Sequence, residues 1–226
     1  MHIPDGYLGP QTYLPFWGAA IAMWGIGLKK VRNALSAKQV PYLAMAAAFS
    51  FLIMMFNLPI PGGTTGHAVG GAFIAILLGP WTAMIAVSVV LIIQAVVFGD
   101  GGITAIGANC INMGVVLPFV SYGVYRLVAG KATSGARLYA GAFLAGYIGL
   151  VLAALLTGIE FGIQPLIAVG PDGHPLYAPY PLSVAIPAMA GEHALLFGVV
   201  EGAVTAALVR LFIKNDPDSV YALKEA

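Results

Sequence analysis

The sequence predicts an all-α, polytopic membrane protein with seven transmembrane helices. Three observations lead there. The 226 residues are 60% hydrophobic and only 8% charged, with a mean hydropathy of +0.91, far from the composition of a water-soluble domain. The apolar residues gather in stretches long enough to cross a bilayer, since about 20 helical residues cover a ~30 Å hydrocarbon core. The few cations cluster at the ends of those stretches, as loop charges do in membrane proteins.

Cut on the length criterion, the stretches run from Leu8 to Leu28, Val40 to Phe56, Gly66 to Leu78, Trp81 to Phe98, Ile103 to Val128, Leu138 to Ile159 and Ile186 to Ile213. Seven crossings put the two termini on opposite sides. Lys29, Lys30, Arg32 and Lys38 follow the first stretch, Arg126, Lys131 and Arg137 separate the fifth from the sixth, and Arg210, Lys214 and Lys224 close the chain. All 10 Lys and Arg therefore fall on one face. The positive-inside rule makes that face cytoplasmic, with the N-terminus outside and the C-terminus in the cytoplasm of a cell membrane protein. Residues 1–226 read as a single transmembrane domain.

The third stretch is the odd one. Starting near His67 and turning at Gly79-Pro80, it has about 13 residues and covers roughly 20 Å, so its helix starts below the outer surface. The segment before it, Asn57-Leu-Pro-Ile-Pro-Gly-Gly-Thr-Thr-Gly-His67, cannot be a continuous helix. Irregular backbone at membrane depth survives only when buried in protein or lining a cavity, and short Gly/Pro-interrupted segments mark transport sites; the competing reading is an ordinary external loop. The Pro-rich external segment Phe161 to Ser183 is expected to form a lid over such a cavity, unless it is simply unstructured.

Several function classes fall away. A net charge of +1 without a basic run offers no footprint for nucleic acid. The single Cys110 excludes a disulfide framework and a thiolate metal site. Gly130-Lys131 is followed by Ala132 and position 125 is Tyr, so the chain cannot hydrolyse ATP by a P-loop and energy must come from elsewhere; no H-E-x-x-H or G-x-S-x-G occurs either. The N-terminus lacks the cationic region and cleavage pattern of a signal peptide, so Met1 is expected to stay.

A retained Met1 gives His2 a special chemistry. A metal bound by the terminal amine and the deprotonated His2 amide closes a five-membered ring, and His2 Nδ1 adds a six-membered one, so two residues supply three coplanar nitrogens. One more nitrogen completes a square plane. That geometry suits Ni(II) or Cu(II), whereas Zn(II) prefers a tetrahedron and Mg(II) or Ca(II) prefer oxygen. The bland alternative is a His on a mobile tail. His67 lies at the mouth of the short third stretch on the same predicted side, within the roughly 23 Å that seven extended residues cover. Its own bland alternative is a hydrogen bond to a neighbouring carbonyl.

Asn57, Gln94, Asn109 and Asn112 lie in or at the ends of apolar stretches on the outer half. They serve either to hold the imidazoles in the right tautomer or to hydrogen-bond between helices. Glu192 and Glu201 face nearly opposite directions on a helix and form no carboxylate pair. Glu192-His193 is placed to contribute at the outer end of the last helix, and Glu201 to pair within the bundle. Ala44-x-x-x-Ala48 on the second stretch allows another helix to approach closely.

Taken together, Met1-His-Ile-Pro-Asp-Gly-Tyr-Leu8, Pro59-Ile-Pro-Gly-Gly-Thr-Thr-Gly-His67 and Gly107-x-Asn109-x-x-Asn112-Met closely resemble the CbiM/NikM family, the substrate-binding components of energy-coupling factor transporters for cobalt and nickel. The resemblance covers the whole chain. It implies that the N-terminus is inserted into the bundle and that the metal sits in a plane formed by the Met1 amine, the His2 amide and imidazole, and His67. Thr65, Asn57, Gln94, Asn109, Asn112 and His193 are then expected around the ligands, and Ala44 and Ala48 on the partner-coupling face. It also implies a transmembrane coupling protein, cytoplasmic ATPases and, in some systems, a small companion membrane subunit. Both metals share the Met1-His2 start. Four strong-field nitrogens favour planar d⁸ nickel, with Co(II) the alternative, and the chain ends soon after its seventh stretch, without the further C-terminal span of some cobalt-type members. The competing function, from another class, is a self-sufficient ion-coupled transporter or channel relaying ions through Glu160, Glu192 and Glu201. No enzyme activity is expected.

Overall fold

A computed structural model describes residues 1–34, 40–130 and 132–224. Lys38 and Lys131, two of the cations in the orientation argument, lie outside the described residues. The chain is mostly helical, with α1 Pro10–Ala34, α2 Val40–Met54, α3 Gly71–Leu78, α4 Pro80–Phe98, α5 Ile106–Val128, α6 Gly135–Ile167 and α7 Leu182–Asn215, followed by a short α8 Tyr221–Lys224. The all-α expectation misses one feature, a small antiparallel hairpin of β1 Leu58–Pro59 and β2 Thr65–Gly66.

The helices α4, α5, α6 and α7 are long and apolar enough to cross a membrane. The other three expected crossings do not meet that standard by themselves. Helix α1 has 25 residues but carries Lys29, Lys30 and Arg32 in its last turns, α2 is a shorter apolar helix of 15 residues, and α3 has only 8. At roughly 1.5 Å per residue, α3 is about 12 Å long.

The sequence places the start of that third helix near Gly66 or His67, and the structure moves it to Gly71. The reason is tertiary. The Glu201 carboxylate on α7 accepts from the amides of Val69 at 2.7 Å, Gly70 at 2.9 Å and Ala72 at 3.4 Å, and Ser50 on α2 donates to the Val69 carbonyl at 2.8 Å. Residues 67–70 thus stay non-helical inside the bundle because side chains satisfy their backbone, the condition on which irregular chain survives at membrane depth. A carboxylate at a helix N-terminus also matches the helix dipole. Helix α3 stops at Gly79, whose φ of 89° suits only glycine, and at Pro80, which bars its predecessor from helical geometry. Every residue of α3 is buried.

Three of the long helices contain a π turn: Gln94–Phe98 in α4, Cys110–Val116 in α5 and His193–Phe197 in α7. Gln94 and His193 open two of these turns and Asn109 immediately precedes the third. Such turns are rare and concentrate at functional sites, because the inserted residue redirects the side chains around it.

Candidate metal centre

Residues 1 to 9 run into the interior of the bundle. Met1 and Ile3 have no exposed surface and His2 is 4% exposed. The segment is held at every second or third residue. The Met1 amine donates to the Thr65 carbonyl and, at 3.3 Å, to the Thr65 hydroxyl. Ile3 exchanges two hydrogen bonds with the Asn109 side chain, its amide donating at 2.9 Å and its carbonyl accepting at 3.2 Å. The same carbonyl accepts from Gly102 N–H at 2.8 Å. The Asp5 carboxylate accepts from Ile103 N–H at 3.1 Å, Thr104 N–H at 2.9 Å and the Thr104 hydroxyl. Partial burial raises the Asp5 pKa, but these donors outweigh it and hold the carboxyl below its ordinary value. Tyr7 C=O accepts from Ala178 N–H at 3.1 Å, and Gly9 N–H donates to Gln164 at 3.0 Å.

The imidazoles are oriented so that one nitrogen of each is left bare. His2 Nε2 lies 3.1 Å from Gln94 Oε1; an amide oxygen only accepts, so Nε2 carries the proton and Nδ1 keeps its lone pair. His67 Nδ1 donates to the Ala68 carbonyl at 3.0 Å and His193 Nδ1 to the Met189 carbonyl at 2.7 Å, which leaves Nε2 of each with its lone pair. His2 Nδ1, His67 Nε2 and His193 Nε2 are all buried with no hydrogen-bond partner. The His2 and His67 ring centroids are 4.6 Å apart, their planes inclined by 29°. His193 is close enough to the N-terminal amine and His67 to interact with both electrostatically.

Burial pushes the Met1 amine well below the ordinary amine range, with Asp100 opposing. Burial also lowers His2, helped by the neighbouring amine and opposed by Gln94. Both groups are thus neutral at neutral pH, the state in which nitrogen binds a metal. Among the described residues no group of three or more His, Cys, Asp or Glu is placed to hold an ion, so any nitrogen site here has to recruit the backbone.

Of the residues expected around the ligands, Thr65, Gln94, Asn109 and His193 are brought together. Two are not. Asn112 donates to Glu160 at 2.9 Å and to Thr157 at 3.2 Å, bridging α5 and α6 instead of joining Asn109; three residues apart, the two would share a face of a regular α-helix, but the π turn beginning at Cys110 separates them. Asn57 is half-buried and makes no hydrogen bond to the imidazoles. Glu192 is exposed, Glu160 pairs with Asn112 and Glu201 caps α3, so the three acids of the ion-relay reading are not aligned on one path. Ala44 and Ala48 lie exposed on α2.

Of the segment Phe161 to Ser183, expected to be a loop, the first part is helical, because α6 continues to Ile167. The remainder is ordered by a bridge between Val169 and Pro175 and by the bond from Ala178 to Tyr7. Sequence reasoning missed Asp5, Asp100, Gly101, Gly102, Thr104 and Gln164. The available signal was Asp100-Gly-Gly102, a tight loop on the predicted side of the N-terminus. A Cβ on Gly102 would sit 2.3 Å from the Asp5 amide nitrogen, so only glycine lets the loop close on the inserted segment.

The fold and the site define a multi-pass α-helical membrane protein that buries its own amino terminus beside two imidazoles with bare nitrogens. The chain belongs to the CbiM family: the family model for the cobalt uptake substrate-specific transmembrane region matches residues 2–219. It is similar to the fused nickel transport protein NikMN of Rhodobacter capsulatus, with 53% identity over 96% of this chain and 63% of that protein. A putative metal transport protein of Methanocaldococcus jannaschii is 51% identical over 96% of this chain and 94% of its own length. The cobalt transport protein CbiM of Acetohalobium arabaticum is 37% identical over 73% of this chain and 64% of that protein. Among solved structures, a truncated transition metal transporter superposes with a TM-score of 0.90 at 46% identity, covering 95% of this chain and 99% of that one. The family is a nickel and cobalt transporter component and not an enzyme.

Proposed function

We propose that the chain is the substrate-binding subunit of an ATP-driven, energy-coupling-factor-type uptake transporter, and that it captures Ni(II), with Co(II) the alternative, between the Met1 amine, the His2 amide, His2 Nδ1 and His67 Nε2. The observation that carries this reading is the set of bare nitrogens converging on the buried N-terminus. The neutral amine donates its hydrogen bonds to Thr65 and keeps a lone pair. The His2 amide has no acceptor among the described residues, which suits a group that loses its proton to the metal. Two imidazoles on neighbouring corners of a square with metal–nitrogen bonds of ~2.0 Å have centroids roughly 4.5 Å apart, against 4.6 Å between His2 and His67.

Nickel is favoured over cobalt on two grounds: planar four-nitrogen ligation suits d⁸, and the Rhodobacter capsulatus nickel transport protein is 53% identical to this chain, against 37% for the cobalt transport protein of Acetohalobium arabaticum. In this reading residues 1–226 form one domain in the cell membrane, with seven crossings, the third made by the non-helical segment before α3 together with α3 itself, the N-terminus outside and the C-terminus in the cytoplasm. The exposed Ala44 and Ala48 face a transmembrane coupling protein, which connects the chain to cytoplasmic ATPases; a small companion membrane subunit completes some such systems.

Nickel uptake into proteoliposomes tests the assembly: the chain alone is expected to bind nickel without pumping it, and to transport only with coupling protein, ATPases and ATP. Uptake by the chain alone would overturn the subunit role. One nickel per chain, yellow and diamagnetic, is the expected state of protein purified with a native N-terminus.

A further inference from the structure

Asp100 has no role in the four-nitrogen plane, yet its position is unusual. Its Oδ1 lies 3.4 Å from His2 Nδ1, with side-chain exposures of 20% for Asp100 and 3% for His2. One group is inside and the other is at the boundary with solvent. Because the His2 proton is on Nε2 facing Gln94, Nδ1 presents a lone pair to a carboxylate, which is also an acceptor. Nothing donates between them: His2 Nδ1 and Asp100 Oδ2 are both buried without a hydrogen-bond partner. Two acceptors held face to face repel unless a cation lies between or beside them.

The backbone keeps Asp100 there. Its amide donates to the Gln94 carbonyl at 3.0 Å, so the residue that orients His2 also anchors Asp100, and two residues on Gly102 is tied to Ile3 at 2.8 Å. The flanking Gly99 and Gly101 have φ of 68° and 94°, a path that residues with a Cβ rarely take. The other nearby acids are engaged: Asp5 by Thr104 and Ile103, Glu160 by Asn112, Glu201 by the first turn of α3.

We propose that Asp100 takes the hydrated divalent transition-metal ion at the rim, passes it to His2 Nδ1, and stays beside the loaded plane as its counter-charge. This rests on the four-nitrogen reading above. Each step exchanges one ligand for another. A carboxylate oxygen displaces one water from the ion, His2 Nδ1 displaces a second, and the remaining nitrogens follow as the His2 amide proton leaves to solvent water. A carboxylate binds hydrated ions with little discrimination, so it is suited to capture, while the nitrogens behind it select. The charges then close: a divalent ion with one amidate carries +1, and Asp100 brings the buried assembly to zero, as burial away from water demands.

The test is stopped-flow nickel binding to the full chain with its native N-terminus, followed by growth of the planar absorption band, across a range of ionic strength. Asp100→Asn is expected to slow association by roughly 10-fold or more and to flatten its salt dependence, because the attracting charge is gone. Its endpoint at saturating nickel stays yellow and diamagnetic. Asp100→Glu keeps the charge and restores the salt dependence, which a merely structural role for Asp100 would not do. An Asn variant with the wild-type rate and salt slope overturns the proposal. So does wild-type association that is indifferent to salt, an outcome that stands even if the Asn variant fails to fold. A wild-type endpoint that is not planar is a failure of the four-nitrogen reading instead.

Discussion

Gln94 Oε1 accepts from His2 Nε2 at 3.1 Å, and this one hydrogen bond decides which face of the imidazole is bare. Gln94 is buried and opens the π turn of α4, so the helix itself directs it at the inserted N-terminus. The same logic repeats at His67, where Ala68 C=O takes the Nδ1 proton, and at His193, where Met189 C=O does.

Replacing Gln94 by Leu removes the acceptor while filling similar space. His2 is then free to place its proton on Nδ1, and the chelate has to expel it. Nickel affinity measured by competition with a chromogenic chelator is expected to fall by about 10- to 100-fold, the range for lost partners of ligand His residues. An unchanged affinity would mean that His2 does not depend on Gln94.

The register of the amino terminus offers a sharper test. Met1 is fully buried and its amine is bonded to Thr65, so one Ala placed ahead of it has nowhere to go without moving the segment, and it also changes the chelate rings. The extended protein is expected to fold, shown by unchanged helicity and elution volume, and to lose nickel affinity by orders of magnitude. Tight nickel binding by the extended chain would rule out the amine as a ligand.

His67 and His174 are separated by burial. His67 has no exposed surface, and His67→Ala is expected to abolish the planar absorption. His174 lies exposed in the external loop, and His174→Ala is expected to bind as the parent does. A His67→Ala protein that still held one diamagnetic nickel would direct attention to His193, whose Nε2 is also bare.

How much of this was legible in the sequence follows from the range of the interactions involved. The helical stretches were, because 20-residue apolar runs are local and strong. The hairpin and the late start of α3 were not, since the amides of Val69 and Gly70 are claimed by Glu201, more than 130 residues away. Met1, His2 and His67 could be singled out because the chemistry of a position-two His is independent of the fold. Asn109 and Asn112 looked equivalent at i and i+3 until a π turn separated them. Asp100, inside an Asp-Gly-Gly turn, carried no sign that a lone pair would face it.

Proton release distinguishes the sources of affinity. The folded site pushes the Met1 amine down from its ordinary value of 8.0. A depressed base favours docking of the segment fully above that ordinary value, and the advantage is lost as pH falls toward the folded one. In the docked chain the amine and the His2 ring are already neutral between pH 6 and 8, so the proton released on nickel binding comes from the His2 amide. Affinity should rise about tenfold per pH unit, one proton per nickel, as linkage requires. Calorimetry in buffers of different ionisation enthalpy counts the protons. A count near three would mean an undocked, protonated N-terminus in the free protein, and a count of zero would remove the amidate.

Selectivity follows from the donor set. Four nitrogens in a plane, one of them an amidate, stabilise d⁸ and d⁹ ions and give little to ions that prefer a tetrahedron or oxygen. Intrinsic affinity is expected to run Cu(II) above Ni(II), then Co(II), then Zn(II), with Mg(II) and Ca(II) negligible. That copper leads does not make it the cargo, since availability selects among metals as much as affinity does. A competition series at fixed pH, using protein with its native N-terminus, measures the order directly. If Zn(II) displaced Ni(II), the ion would not be held by the planar four-nitrogen site.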